Sequence, residues 1–153
     1  MPFLKREHRT RIYYEVHGDG TPLLLTHGFS SASGMWQGQI EPITKAGYML
    51  ITWDMRGHGR SAYPDEQSVY SEKHTVQDMS ALLDKLCGSD STAIVGGLSL
   101  GGYMSQAFYR DHPQRVEALL IIGAALTPFK IPLTVRLKCR RHRTRLQERL
   151  SQR

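Results

Sequence analysis

The sequence lacks any long apolar run: the longest, Ala118 to Leu126, has nine residues and includes Gly123, far short of the ~20 that cross a bilayer. A membrane-spanning helix is therefore excluded. The opening MPFLKREHRT places charges where a signal peptide needs its apolar stretch, so the expected location is the cytoplasm. Cysteine is scarce too. Cys87 and Cys139 are the only two, with no CxxC and no His/Cys ligand spacing around them. Such usage excludes a disulfide scaffold and a zinc site, and predicts that both thiols stay unpaired. No metal or cofactor is implied. Internal repeats are absent, and the one compositionally biased stretch is an Arg-rich C-terminal segment. What remains is an ordinary globular composition, 153 residues with 40% apolar and 22% charged side chains, enough for one domain with a real core.

Charge is unevenly placed. Residues 130 to 153 carry nine Lys/Arg against a single acid, Glu148, while residues 1 to 129 sum to −2. The break at Lys130 separates an acidic-to-neutral body from a basic tail.

Along the body, residues 3 to 17 alternate weakly and predict an edge hairpin with its turn near Arg9 to Arg11. Leu23-Leu24-Leu25, after the Gly18-Asp19-Gly20-Thr21-Pro22 turn signal, predicts a buried strand, and Tyr48 to Trp53 a second. Between them, Met35 to Ala46 reads as a helix with Trp36, Ile40 and Ile43 on one stripe, against the presence of Pro42. Val76, Met79, Leu83 and Leu86 recur at helical spacing within Ser71 to Leu86, and Gly88 follows as a cap. Thr92 to Leu98 predicts a strand, Leu100 to His112 a helix ended by Pro113, and Glu117 to Ile122 a further strand. Alternating strands and helices imply an α/β fold, a mainly parallel sheet with helices on both faces.

Gly97-Leu98-Ser99-Leu100-Gly101 is a G-x-S-x-G where a strand meets a helix. On so sharp a turn the serine takes a strained backbone, and side chains two residues to either side would collide, hence the flanking glycines. Gly102 lets helix and strand pack closely. Ser99 becomes the candidate nucleophile, with the Leu100 N–H at the helix N-terminus facing a developing oxyanion. The bland alternative is a glycine-rich turn with an incidental serine. Two other strand ends argue against it. His27-Gly28-Phe29 can offer the Phe29 N–H as a second oxyanion donor, and Asp54-Met55-Arg56-Gly57-His58-Gly59-Arg60-Ser61 supplies the glycines of a tight turn beside it.

With these three motifs in this order, residues 3 to 127 resemble the α/β-hydrolase fold family. The resemblance implies a serine hydrolase acting on small esters or related acyl compounds, without cofactor, and makes His27, Gly28, Asp54, Arg56, Gly57, Gly59, Gly97, Gly101 and Gly102 structural motif positions. Serine rather than aspartate at position 99 points to acyl chemistry instead of the carboxylate-nucleophile branches. The family order also implies an acid and then a histidine after the serine. The sequence departs from that pattern: Gly123 to Pro128 contains no carboxylate, and His142 sits in Arg140-Arg141-His142-Arg143 with no acid to orient it. His27 and His58 fall on structural loops.

The expected organisation is thus a partial hydrolase domain, 1 to 129, truncated after about the sixth strand, followed by a disordered basic tail, 130 to 153. A frameshift, splice variant or premature gene model would produce such a join. The alternative is a catalytically inactive hydrolase-like protein whose tail binds nucleic acid or an anionic surface.

Overall fold

The computed structural model describes residues 2–7 and 9–125; Cys139, His142 and the basic tail lie outside them. Within the described residues six strands form one sheet: β1 (Phe3–Lys5), β2 (Arg11–His17), β3 (Thr21–Thr26), β4 (Tyr48–Trp53), β5 (Ala93–Leu98) and β6 (Val116–Ile122). Their spatial order is β1-β2-β4-β3-β5-β6. β1 and β2 make the antiparallel hairpin, with Phe3 opposite Tyr13 and Lys5 opposite Arg11, and Arg9 adopts φ 58° in the turn. Arg11 itself belongs to the second strand. β2 joins β4 antiparallel, and the β4-β3, β3-β5 and β5-β6 ladders are all parallel.

The helices are α1 (Ile40–Lys45), α2 (Glu72–Cys87) and α3 (Leu100–Asp111). The single helix expected over Met35 to Ala46 is instead a 3₁₀ segment, Ser33–Gln39, leading into the short α1. Pro42 explains the break. Its missing N–H is tolerated only within the first turn of an α-helix, where no intrahelical bond is lost, so α1 has to begin just ahead of it. Gly34 and Gly38 further weaken the preceding turn. α2 starts where Ser71 accepts a hydrogen bond from the His74 amide and ends at Gly88, φ 96°.

Strand alternation divides the core between the two sheet faces. Leu24 and Ile51 pack with Val76, Met79, Leu82, Leu83 and Phe108 from α2 and α3. Their neighbours Leu23, Leu25 and Leu50 point the other way, onto Trp36, Ile40 and Ile43. Helical layers therefore cover both faces, and the carboxyl ends of β3, β4 and β5 meet along one rim. Among the described residues Cys87 has no disulfide partner, and burial pushes its thiol up from the ordinary pKa. Among the described residues no helix is long and apolar enough to cross a membrane, and no cluster of His, Cys, Asp and Glu is placed to hold a metal ion.

Candidate active site

Ser99 sits between the end of β5 and the start of α3, with φ 51° and ψ −111°. A non-glycine residue in that region stores roughly 1–3 kcal/mol of strain, which the surroundings must enforce. They do so through contact. A Cβ on Gly97 would lie 2.5 Å from the Gly101 carbonyl carbon and from the Thr26 oxygen. One on Gly101 would approach the Thr26 oxygen to 2.2 Å, and one on Gly102 would meet the Ala124 Cβ at 2.9 Å. All three glycines are thus required by the close packing of the turn on β3 and on the chain beyond β6. The Ser99 amide donates to Ile122 O at 2.9 Å, and the Ser99 carbonyl accepts from the Tyr103 amide at 3.0 Å. The side chain itself is exposed. β5, which carries it, has strands on both sides but lies next to β6, the edge among the described residues. Gly101→Ala is expected to lower stability by about 3 kcal/mol through overpacking against backbone; an unchanged urea midpoint would refute the tight elbow.

The loop after β3 comes up against this turn. A Cβ on Gly28 would touch Leu98 O at 3.4 Å and the Ser99 Cβ at 3.9 Å, so the His27-Gly28-Phe29 segment borders the serine. Phe29 is 75% exposed and stands edge-on to the His58 ring, centroids 6.0 Å apart. His27 is fully buried and 4.9 Å from His58, ring centre to ring centre.

His27 has both nitrogens committed. Nε2 accepts from the Met55 amide at 3.0 Å, and Nδ1–H donates to Gly28 O at 2.7 Å. Burial pushes its pKa below the ordinary value, opposed by the Gly28 hydrogen bond. It is therefore a neutral, fixed ring and not a base. An unfolded histidine takes up a proton below about pH 6.5, which the folded one resists, so its contribution is full above that pH and declines below it. The urea midpoint should accordingly fall between pH 7.5 and 5.5, and fall less in a His27→Gln variant.

The loop after β4 is held from both sides. Asp54, buried, accepts from the Ser33 amide at 2.6 Å and the Arg60 amide at 2.8 Å, while its carbonyl accepts from Ser61 Oγ at 2.5 Å. Gly59, at φ 52°, has no room for a side chain, since a Cβ would lie 2.2 Å from Asp54 Oδ2. Arg56 is clamped beneath the loop: Nε donates to Asp78 Oδ2 at 2.7 Å, and Nη2 to Asp78 Oδ1 at 2.9 Å and Glu7 Oε1 at 2.6 Å. Arg6 Nε reaches the same Asp78 at 2.8 Å. The Arg56 hydrogen bond pulls the Glu7 carboxyl down to about 2, against the cost of its own burial. Sequence reasoning missed Asp78. Its signal was a lone carboxylate among Val76, Met79 and Leu82 on an otherwise apolar stripe.

His58 donates from Nδ1 to Arg56 O at 2.9 Å, which leaves Nε2 as the basic nitrogen. Neither His58 nor any other described histidine is hydrogen-bonded to Ser99, whose hydroxyl has no hydrogen-bond partner among the described residues. His142 lies outside them.

Comparison with known families matches residues 21–151 to the family described as serine aminopeptidase, S33; the match runs on into the basic segment. Among curated relatives, an epoxide hydrolase of Caballeronia sordidicola is 37% identical over 108 residues, covering 71% of this chain and 32% of that protein. A non-heme haloperoxidase of Rhodococcus erythropolis is 32% identical over 124 residues, 81% of this chain and 44% of that one. Solved structures agree. A carboxylesterase structure from Nitrososphaera gargenis superposes with TM-score 0.75 at 29% identity, over 84% of this chain and 47% of its own. Bromoperoxidase from Bacillus anthracis gives TM-score 0.72 at 31% identity, over 80% and 44%. The chain thus spans less than half the length of these relatives. A strand-to-helix turn that holds a serine in a left-handed conformation, on a mostly parallel sheet layered with helices and matched by the family over most of its length, makes the chain a member of the serine aminopeptidase S33 family of α/β-hydrolases.

Proposed function

We propose that the chain is the nucleophile-bearing part of a serine hydrolase whose parent enzyme cleaves small esters or related acyl compounds. The observation that carries this is Ser99, a non-glycine residue at φ 51° whose exposed side chain stands between β5 and α3. In the reaction its Oγ attacks the acyl carbonyl carbon. The leaving alcohol departs with a proton from a general base and acid, and water then releases the acyl group. The Leu100 N–H, at the N-terminus of α3, and the Phe29 N–H are assigned to the oxyanion. Support for the second comes from the approach of Gly28 to the Ser99 Cβ.

Acyl chemistry is preferred over epoxide opening because the residue at the turn is a hydroxyl rather than a carboxylate. The likeness to a carboxylesterase structure supports the same class. Residues 1–129 form the hydrolase portion in this reading, and the charge break at Lys130 sets off 130–153 as a basic tail, although the family match extends to residue 151. The family order implies an acid and a histidine after the serine, and with neither bonded to Ser99 among the described residues the 153-residue chain is expected to be a slow catalyst. Steady-state hydrolysis of p-nitrophenyl esters, with Ser99→Ala alongside, tests the proposal; ester turnover indifferent to Ser99 in a chain supplied with the relatives' remaining half would overturn it.

A further inference from the structure

We propose that His27 is a positioning residue that aims the Phe29 N–H at the oxyanion, with its tautomer set by the backbone amide of Met55. This rests on the assignment of Phe29 as an oxyanion donor and adds what holds that donor in place.

A backbone amide can only donate and a backbone carbonyl can only accept. The Met55 amide at 3.0 Å from Nε2 therefore requires a lone pair there, and Gly28 O at 2.7 Å from Nδ1 requires the proton on Nδ1. The tautomer follows from these two partners alone. Gly28 C=O and Phe29 N–H belong to one peptide unit. That unit is planar and trans, so the two groups point in opposite directions. Fixing Gly28 O on the His27 ring consequently fixes the direction of the Phe29 N–H. The Ser31 amide also donates to Gly28 O, at 3.2 Å, closing the turn that carries Phe29.

The support behind the ring is rigid. Met55 lies between Asp54 and Arg56, and all three residues are buried. Asp54 is held by the Ser33 and Arg60 amides, Arg56 by Asp78 and Glu7. Order in the β4 loop is thereby carried, through one imidazole, to the β3 loop that borders Ser99.

The test uses the full chain, ¹⁵N-labelled, and phenylboronic acid. Ser99 Oγ adds its electron pair to boron while the hydroxyl proton passes to water, which gives a tetrahedral anion at the place of the reaction's oxyanion. In the unmodified protein His27 should show a protonated Nδ1 and an unprotonated Nε2; the opposite tautomer overturns the proposal without any variant. On titration the Leu100 and Phe29 amides should both shift, and Ser99→Ala should abolish both shifts. His27→Ala should weaken binding roughly tenfold, the scale of one hydrogen bond to a charged group, with the Leu100 shift kept and the Phe29 shift lost. Silence of both amides while the ¹¹B spectrum shows the tetrahedral Ser99 adduct contradicts the oxyanion assignment itself. Shifts of both that persist unchanged in a folded His27→Ala variant leave that assignment standing and refute the role of His27.

Discussion

Joining residues 1–125 to the part of the Nitrososphaera carboxylesterase that lies beyond its matched region should raise p-nitrophenyl acetate hydrolysis by about 10⁶ over the 153-residue chain. Ser99→Ala in the joined protein should remove that gain. The chain by itself has the elbow and its two assigned backbone donors, and such a remnant retains roughly 10³ to 10⁴ over the uncatalysed rate. It has no base at work on Ser99 among its described residues. His27 spends both nitrogens on backbone groups. Among the described residues His58 has an available Nε2, yet its one hydrogen bond is to Arg56 O, and no carboxylate is bonded to the ring to stabilise an imidazolium. Normal enzymatic turnover by the unmodified chain would make His58 the first residue to replace, followed by His142.

Asp78→Ala should destabilise the fold by about 3–5 kcal/mol, because it leaves Arg56 as a buried cation with its main partner removed. That is a large share of the roughly 5–15 kcal/mol that holds a domain together. The Arg56 side chain is 3% exposed and the Asp78 side chain not at all. Among the described residues Arg56 Nη1 already lacks a partner, so the guanidinium has no reserve of hydrogen bonds. Glu7 remains within 2.6 Å, but at 38% exposure it is screened by solvent. A double variant, Arg56→Met with Asp78→Leu, should recover much of the loss, since replacing a buried ion pair by apolar side chains is often close to neutral. Chemical denaturation of the two variants decides it: equal losses would show that the pair matters through shape and not through charge.

Much of this architecture was legible because its determinants are local. Tyr48 to Trp53 and the Val76/Met79/Leu83 stripe announce a strand and a helix by period alone, and both form within a residue of the expected limits. The Gly97-x-Ser99-x-Gly101 pattern announces the elbow because its glycines answer a collision that any such turn must avoid. The helix expected over Met35 to Ala46 divides because the cost of Pro42 depends on its place within the turn, which periodicity does not register. The Arg56–Asp78 clamp was hidden for another reason: it joins residues 22 apart in sequence across two elements, and no local pattern pairs a loop arginine with one particular carboxylate on a distant helix. The locking of His27 was equally out of reach, since it depends on which amide of the β4 loop faces the ring.

The most direct measurement is peptide mapping after treatment of the joined protein with a fluorophosphonate. Phosphonylation forms a bond from Ser99 Oγ to phosphorus and expels fluoride, and it needs the same base that ester cleavage does. A single adduct on Ser99, with slow or no labelling of the 153-residue chain under the same conditions, is the predicted result. An adduct on any other residue, or a folded and esterase-active joined protein whose Ser99 stays unlabelled, would contradict the assignment of Ser99 as the nucleophile.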